Sequence, residues 1–285
     1  MKPNIIDNSK CNFCKLCLSQ CSNPIFAADE DEKIIQIIEN TGCISCGHCI
    51  AICPTSALSV NGKIPESITK FPDFNEFLTM LKSRRSMRKY QNKEISDNIL
   101  IKLADFIRFA PTGSNSEATR VIFIKDEKIK EKLKKIIMRF YIFLNLLTSF
   151  ILIKWFFYLL LGKQKAQFLK KSLKKMIKKY KSGEDPIFFN APVIAFIYTH
   201  KRESSTPKDD CCYALYNAVL GAESLGLSSC INQLAVIAIN AKKRKINKLL
   251  NLPSKAKIYA CATFGYPGFF YKRVVFRKES KYIIL

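Results

Sequence analysis

Cys11-Asn12-Phe13-Cys14-Lys15-Leu16-Cys17-Leu18-Ser19-Gln20-Cys21 and Cys43-Ile44-Ser45-Cys46-Gly47-His48-Cys49-Ile50-Ala51-Ile52-Cys53-Pro54 share one spacing: two residues between each of the first three cysteines, then three before the last. The two runs hold eight of the twelve cysteines in a chain of 285 residues. MKPNIIDNSK (1–10) has no apolar stretch that would mark export. Cysteine density without an export signal points to metal or redox chemistry in a cytoplasmic protein rather than to disulfides. With only His48 and His200 in the chain, a histidine-based metalloenzyme is disfavoured. Apolar residues make up 48%, enough for a packed core, and exclude a disordered or fibrous chain. Ten glycines include no Gly-x-Gly-x-x-Gly and no P-loop.

Three thiolates two residues apart can wrap one face of an iron–sulfur cube, leaving the fourth pointing elsewhere. That geometry suits a two-cluster ferredoxin, in which the last cysteine of each run serves the other cluster. The expected ligand sets are Cys11, Cys14, Cys17 and Cys53 for one [4Fe–4S] cluster, and Cys43, Cys46, Cys49 and Cys21 for the other. Two zinc sites are the alternative, although zinc ribbons use paired C-x2-C rather than a triple run closed by x3-C-P. The first run lacks an immediate C-P, with Pro24 arriving later. His48, inside the second run, reads as a surface residue rather than a ligand.

Outward from the runs, the charge changes. Residues 1–62 carry four lysines and six acidic side chains, net −2, whereas the whole chain has 47 basic against 23 acidic residues, net +24. NGKIPE (61–66) reads as a linker, giving a domain at 1–64 and a basic one at 65–285. A strongly basic protein attracts anionic partners. The basic domain shows helical periodicity at 74–84 and at 97–110 with Ser96 as N-cap, and further helices at 209–225 and 241–251. Strands are expected at 121–124, 193–198 and 258–264, an α+β pattern with helices covering a sheet.

Four segments of this domain carry polar chemistry. Arg84-Arg85-Ser86-Met87-Arg88 offers guanidiniums that can clamp a phosphate, although a solvated basic turn explains it equally. Ala110-Pro111-Thr112-Gly113-Ser114-Asn115-Ser116-Glu117 ends a helix in a loop of small donors. Leu225-Gly226-Leu227-Ser228-Ser229-Cys230 leads into Ile231, Asn232, Gln233 and Leu234. Gly265-Tyr266-Pro267 precedes Lys272, Arg273, Arg277 and Lys278.

In this order the four segments resemble the FMN-dependent nitroreductase family, over about residues 75–281, and the cysteine-rich head resembles its ferredoxin-fused branch. The resemblance implies an α+β sandwich that forms a homodimer with FMN at the subunit interface. By position, Arg84, Arg85, Ser86 and Arg88 look like the clamp on the FMN phosphate and ribityl chain. Pro111, Thr112, Gly113 and Asn115 are similar to the loop that reaches the ring from the partner subunit. Ser229, Cys230, Ile231, Asn232 and Gln233 would lie beside its pyrimidine and N5 edge, with Lys272, Arg273 and Arg277 completing the phosphate site. Glu117-Ala118-Thr119 departs from the family's Gln-Pro-Trp, so ring contacts and substrate shape are expected to differ. Cys211, Cys212, Cys230 and Cys261 read as packing residues, no histidine lying near Cys230 in sequence. No acid–base pair stands out.

Residues 140–161 (FYIFLNLLTSFILIKWFFYLLL) contain 18 apolar residues in 22, long enough to cross a bilayer. A single crossing would separate 84–117 from 192–277, and both flanks are positive, so a span is not expected. KQKAQFLKKSLKKMIKKYK (163–181) follows as a basic amphipathic helix. The segment 134–182 reads as a helical insertion packed in the dimer, with peripheral contact at the inner face of a membrane as the alternative. No nucleic-acid-binding module is recognisable.

These readings converge on a cytoplasmic oxidoreductase that passes electrons between two [4Fe–4S] clusters and FMN to reduce a small electrophile such as a nitroaromatic or quinone. The donor is expected to be NAD(P)H or an acidic protein such as ferredoxin or flavodoxin. A relay subunit of a larger or membrane-associated redox complex is the alternative.

Overall fold

The structure is a computed structural model and describes residues 3–23, 25–38, 42–150, 158–160 and 162–285. Pro24 and most of 151–161, including Lys154, lie outside the described residues. The chain divides into two compact units, Met1–Pro72 with Ser114–Ser116, and Asp73–Gly113 with Glu117–Leu285.

The first unit is built twice over. Strand β1 (Ile5–Ile6) pairs antiparallel with β4 (Leu58–Ser59), and β2 (Phe26–Asp29) pairs antiparallel with β3 (Ile34–Ile37). Between them run two five-residue helices, α1 (Leu16–Gln20) and α2 (His48–Ile52). Each begins after a left-handed residue, Lys15 (φ 57°) or Gly47 (φ 73°), and each ends at a cysteine in extended conformation, Cys21 or Cys53. Phe13 and Ser45 take matching left-handed angles, φ 58° and 59°. Side chains with a Cβ avoid this region. Four left-handed residues at equivalent places, three of them carrying a Cβ, fold the two runs alike. Ile25, Phe26, Ile35, Ile50 and Leu58 form the core, and six of the eight run cysteines pack on it.

The second unit is a four-stranded antiparallel sheet in the order β5 (Arg120–Ile124), β6 (Val193–His200), β8 (Ala256–Gly265), β7 (Ser228–Ile231). Alternation along β6 sends Val193, Ala195 and Ile197 to one face and Ile194 and Phe196 to the other, all fully buried. The first face is covered by α4 (Asp97–Arg108) and α7 (Pro207–Ser224). On the second lie α5 (Glu127–Leu147), α6 (Lys163–Lys181), α8 (Gln233–Ala241) and α9 (Lys243–Leu249). Helix α3 (Phe74–Ser83) enters the unit on a reciprocal cap: Asp73 accepts from the Glu76 N–H, and Glu76 from the Asp73 N–H. Among the described residues no helix is long and apolar enough to cross a membrane.

Two expectations change in detail. Ser96 occupies the N-cap of α4 but its side chain makes no capping bond. Strand β7 and helix α8 arise where the sequence showed only a polar segment; Asn232 starts α8 by accepting from the Ala235 N–H at 3.2 Å.

Candidate functional site

In the first unit, Cys11, Cys14, Cys17 and Cys53 line one small cavity together with Ile6, Ile35 and Leu58. The last cysteine of the second run thus joins the first three of the other. Cys21 stands close enough to Cys49, beside Cys46, for their charges to interact. Among the described residues no three cysteine, histidine or carboxylate side chains could together hold a single metal ion. Burial pushes the Cys49 thiol up to about 11. Cys53 is only partly buried, and the Leu58, Ala57 and Thr55 amides with the Thr55 hydroxyl outweigh that burial and lower it; the Ala57 amide donates to its sulfur at 3.3 Å. The Ser45 amide similarly donates to Cys43 Sγ at 3.4 Å. Such N–H···S contacts are a lever on cluster potential. Asn115, which groups with this unit, donates its side-chain amide to the Ser45 carbonyl at 3.1 Å.

In the second unit, the segment after α3 lies along the free edge of β7. Ser86 pairs with Ser229, and the Met87 amide donates to the Ser229 carbonyl at 2.9 Å. Tyr90 continues the seam: its hydroxyl donates to the Met87 carbonyl at 2.9 Å and lies 2.8 Å from Thr263 Oγ1. Gln91 holds the far end, its backbone amide on the Tyr266 carbonyl and its side-chain amide on that of Pro267, both at 2.9 Å. Gly265 has to be glycine here, since a Cβ would sit 2.6 Å from the Tyr90 ring and 2.8 Å from Pro192. Three segments far apart in sequence, 84–91, 228–233 and 265–268, thus form one surface.

That surface is cationic and incompletely paired. Arg84, Arg85 and Ser86 are half-buried and Arg88 is exposed; no carboxylate among the described residues forms an ion pair with any of the three arginines. Ser229 Oγ is buried without a hydrogen-bond partner. A buried hydroxyl left unpaired costs about 1–3 kcal/mol, so the position favours a ligand that can engage it. Burial raises the Cys230 thiol, opposed by the Arg88 charge, a Ser86 hydrogen bond and the Arg84 charge. Burial likewise raises the Glu223 carboxyl, opposed by Arg84.

The Nitroreductase family model matches residues 81–266, well over half of the chain. This chain belongs to the nitroreductase family. A 4Fe-4S dicluster domain model matches residues 10–58, ahead of the nitroreductase match. An Archaeoglobus fulgidus protein described as an NADH dehydrogenase/NAD(P)H nitroreductase is 22% identical over 196 residues, covering 67% of this chain and 86% of that protein. An archaeal-type glutamate synthase [NADPH] of Dehalococcoides mccartyi is 41% identical over 51 residues, 18% of this chain; the chain spans only 10% of that synthase. The crystal structure of a Bacteroides fragilis nitroreductase with bound FMN superposes with a TM-score of 0.57 at 22% identity, covering 74% of this chain and 99% of that one. At that identity the likeness establishes the fold.

Within the nitroreductase unit, the remaining positions singled out from sequence are placed as follows. The loop holding Pro111, Thr112 and Gly113 is fixed by Asp210, whose carboxylate accepts the Gly113 amide at 3.1 Å, the Thr206 hydroxyl at 2.8 Å and the Ser204 hydroxyl. Thr112 Oγ1 accepts the Glu117 amide at 3.1 Å. Asn232 is buried and uses both ends of its amide on protein, donating to the Ile187 carbonyl. Ile231 and Gln233 are both exposed, with a Gln233 amide contact to the Tyr259 carbonyl at 3.5 Å. Lys272, Arg273 and Arg277 are exposed on a C-terminal segment without helix or strand. Cys211, Cys230 and Cys261 are buried, and burial pushes Cys211 up to about 12 and Cys261 well up, as inert thiols require. Sequence reasoning missed Asp210 and Tyr90. The start of α7, Pro207-Lys208-Asp209-Asp210, carries the Pro-then-acid signature of a helix N-terminus, which marks Asp210 as structural without revealing the loop it holds.

Proposed function

We propose that the chain is an FMN-dependent oxidoreductase that takes electrons through two [4Fe–4S] clusters and reduces a small electrophile such as a nitroaromatic or quinone. The single observation that carries the flavin reading is the seam between Ser86 and Ser229, which sets half-buried, ion-pair-free arginines beside a buried hydroxyl with no partner. Those groups fit a phosphate-bearing cofactor, because guanidiniums grip phosphate oxygens bidentately and a free hydroxyl can donate to it. Arg84, Arg85, Ser86 and Arg88 would hold the phosphate and ribityl end. The backbone from Ser229 to Gln233 would border the ring, since the Asn232 side chain is occupied as a helix cap. Pro111, Thr112, Gly113 and Asn115 would face the ring of the partner subunit's flavin, and Lys272, Arg273 and Arg277 would complete the phosphate site. Bound there, FMN supplies the conversion between one-electron and hydride transfer.

Cys11, Cys14, Cys17 and Cys53 would hold one cluster and Cys43, Cys46, Cys49 and Cys21 the other, in a domain given over to electron carriage; the rest of the chain is the flavin domain, with 134–182 inserted. A homodimer would cover the apolar side chains left open on α4, α7 and α8, among them Ile101, Tyr213 and Ile237. The lysine face of α6 suits an acidic donor protein such as ferredoxin or flavodoxin.

The test is anaerobic purification with iron, sulfide and flavin quantitation, followed by turnover with reduced ferredoxin and a nitroaromatic. Flavin and iron present together with turnover support the reading. Full loading without reduction of any acceptor would favour the relay role, and zinc with no flavin would overturn it altogether.

A further inference from the structure

Beside the 84–91 segment of the β7 seam, the second unit contains a half-open cavity of about 900 Å³ between α5, α6 and the turn 184–190. Its walls are apolar, with Leu144, Leu169, Leu173, Met176, Phe189 and Leu234 among them. Several large side chains there are left open to solvent: Phe168 is 70% exposed, Leu169 52% and Leu234 49%. The volume is that of a site for a sizeable organic ligand.

The wall is shaped at some conformational cost. Phe189 and Asn190 are consecutive left-handed residues, φ 58° and 50°, a conformation that bulky side chains avoid. Asp185 holds this turn by accepting the amides of Ile187 at 3.0 Å and Phe188 at 2.9 Å. The Phe189 ring thereby lines the cavity, with the Arg88 guanidinium 5.8 Å from its centroid.

The charge at the rim is one-sided. Glu184 is bound to Lys179 at 2.7 Å, and Asp185 is engaged by the backbone amides, so both acidic groups are occupied. Lys170 donates to the Thr148 carbonyl at 3.1 Å. Arg88, Lys89 and Lys175 also line the cavity, and no carboxylate among the described residues forms an ion pair with any of them. An apolar trough bordered by unneutralised cations matches one ligand chemistry: a hydrocarbon chain ending in an anion.

We propose that this groove binds a single-chain anionic amphiphile, a long-chain carboxylate taken up as a monomer, with its chain along α5 and α6 and its head toward Lys89 and Lys175. The inference does not depend on the flavin reading, because neither Lys89 nor Lys175 is among the residues assigned to the flavin.

The test is titration of the full-length protein, as purified with its cofactors, with hexadecanoate below its micellar concentration. Octanoate, hexadecanol and hexadecyltrimethylammonium are the comparison ligands. The expected result is saturable binding of one hexadecanoate per chain. Octanoate should bind at least a hundredfold more weakly, since each buried methylene contributes roughly threefold or more. Hexadecanol should bind about tenfold more weakly, and the ammonium should not compete. Leu173→Trp, which fills the trough, and the Lys89→Gln/Lys175→Gln pair should each weaken binding by tenfold or more, with unchanged circular dichroism and iron content showing that the variants fold. No saturable binding of hexadecanoate would overturn the proposal and leave the groove to a second copy of the chain. Equal binding of the ammonium, indifference to Leu173→Trp, or association with anionic vesicles but not with free hexadecanoate would overturn it as well.

Discussion

In the first unit, Lys15 and Gly47 make the same left-handed turn one residue after Cys14 and Cys46, and Cys21 and Cys53 close the two short helices alike. Along β7 nothing repeats: Ser86, Ser229 and Pro267 come from three separate stretches and are brought together by backbone pairing, the Tyr90 hydroxyl and the Gln91 side-chain amide. The contrast teaches where each site is encoded. Most of each cysteine ring is written in local spacing, with one long-range member, Cys53 beside Cys11, Cys14 and Cys17. The arginine surface is almost entirely long-range. Damage should therefore stay local in the first unit and spread in the second.

The largest effect is expected from Cys53→Ser. With crossed ligation, it should remove the same cluster as Cys11→Ser, halving iron and sulfide while flavin content holds. If Cys53→Ser instead abolished the cluster lost in Cys43→Ser, as distinguished by electron paramagnetic resonance, the crossing would be wrong. Next comes Arg84→Ala, which should weaken FMN retention by about 10–100-fold, as for loss of one charged hydrogen bond, with the clusters intact. Flavin content measured after gel filtration checks this, and an unchanged value would count against the clamp.

Asp210→Ala should act at a distance. It frees the Gly113 amide and two hydroxyls, costing about 1–3 kcal/mol in denaturant unfolding of the second unit, and loosens the loop at 111–113 without altering iron content. The smallest effect is at Glu223. Its carboxyl is raised by burial, so the folded state holds a proton that the unfolded state has released. Stability from this group is present at low pH and declines as pH rises from the ordinary glutamate range through the raised folded value. Glu223→Gln should flatten that slope in thermal melts across mildly acid pH.

Strands β5, β6 and β8 were legible in their central parts, 121–124, 193–198 and 258–264, because β-branched and aromatic residues cluster there, and α4 because its apolar residues recur at helical spacing. Strand β7 was not: Ser228-Ser229-Cys230-Ile231 has no strong strand composition, and it is extended because β8 pairs with it. Asp210 was hidden for a related reason. An acid in the first turn of a helix looks like a dipole partner, and only the fold brings the Gly113 amide to it. The sequence marked 140–181 as unusual, yet the cavity between α5 and α6 depends on where Phe189 and Leu234 arrive from elsewhere.

What the sequence by itself determined is the chemistry of the head and the inventory of the basic domain: eight thiolates at fixed short spacing, arginines in one turn, and apolar periodicities for a sheet with helices on it. Short spacing survives any folding path, because a few peptide units limit how far apart neighbouring thiolates can lie. Only the tertiary structure decided that Ser86 lies on Ser229 and that Arg88 stands over Phe189. Those pairings rest on strand register and core packing, free energies summed over many residues that no local stretch of sequence contains.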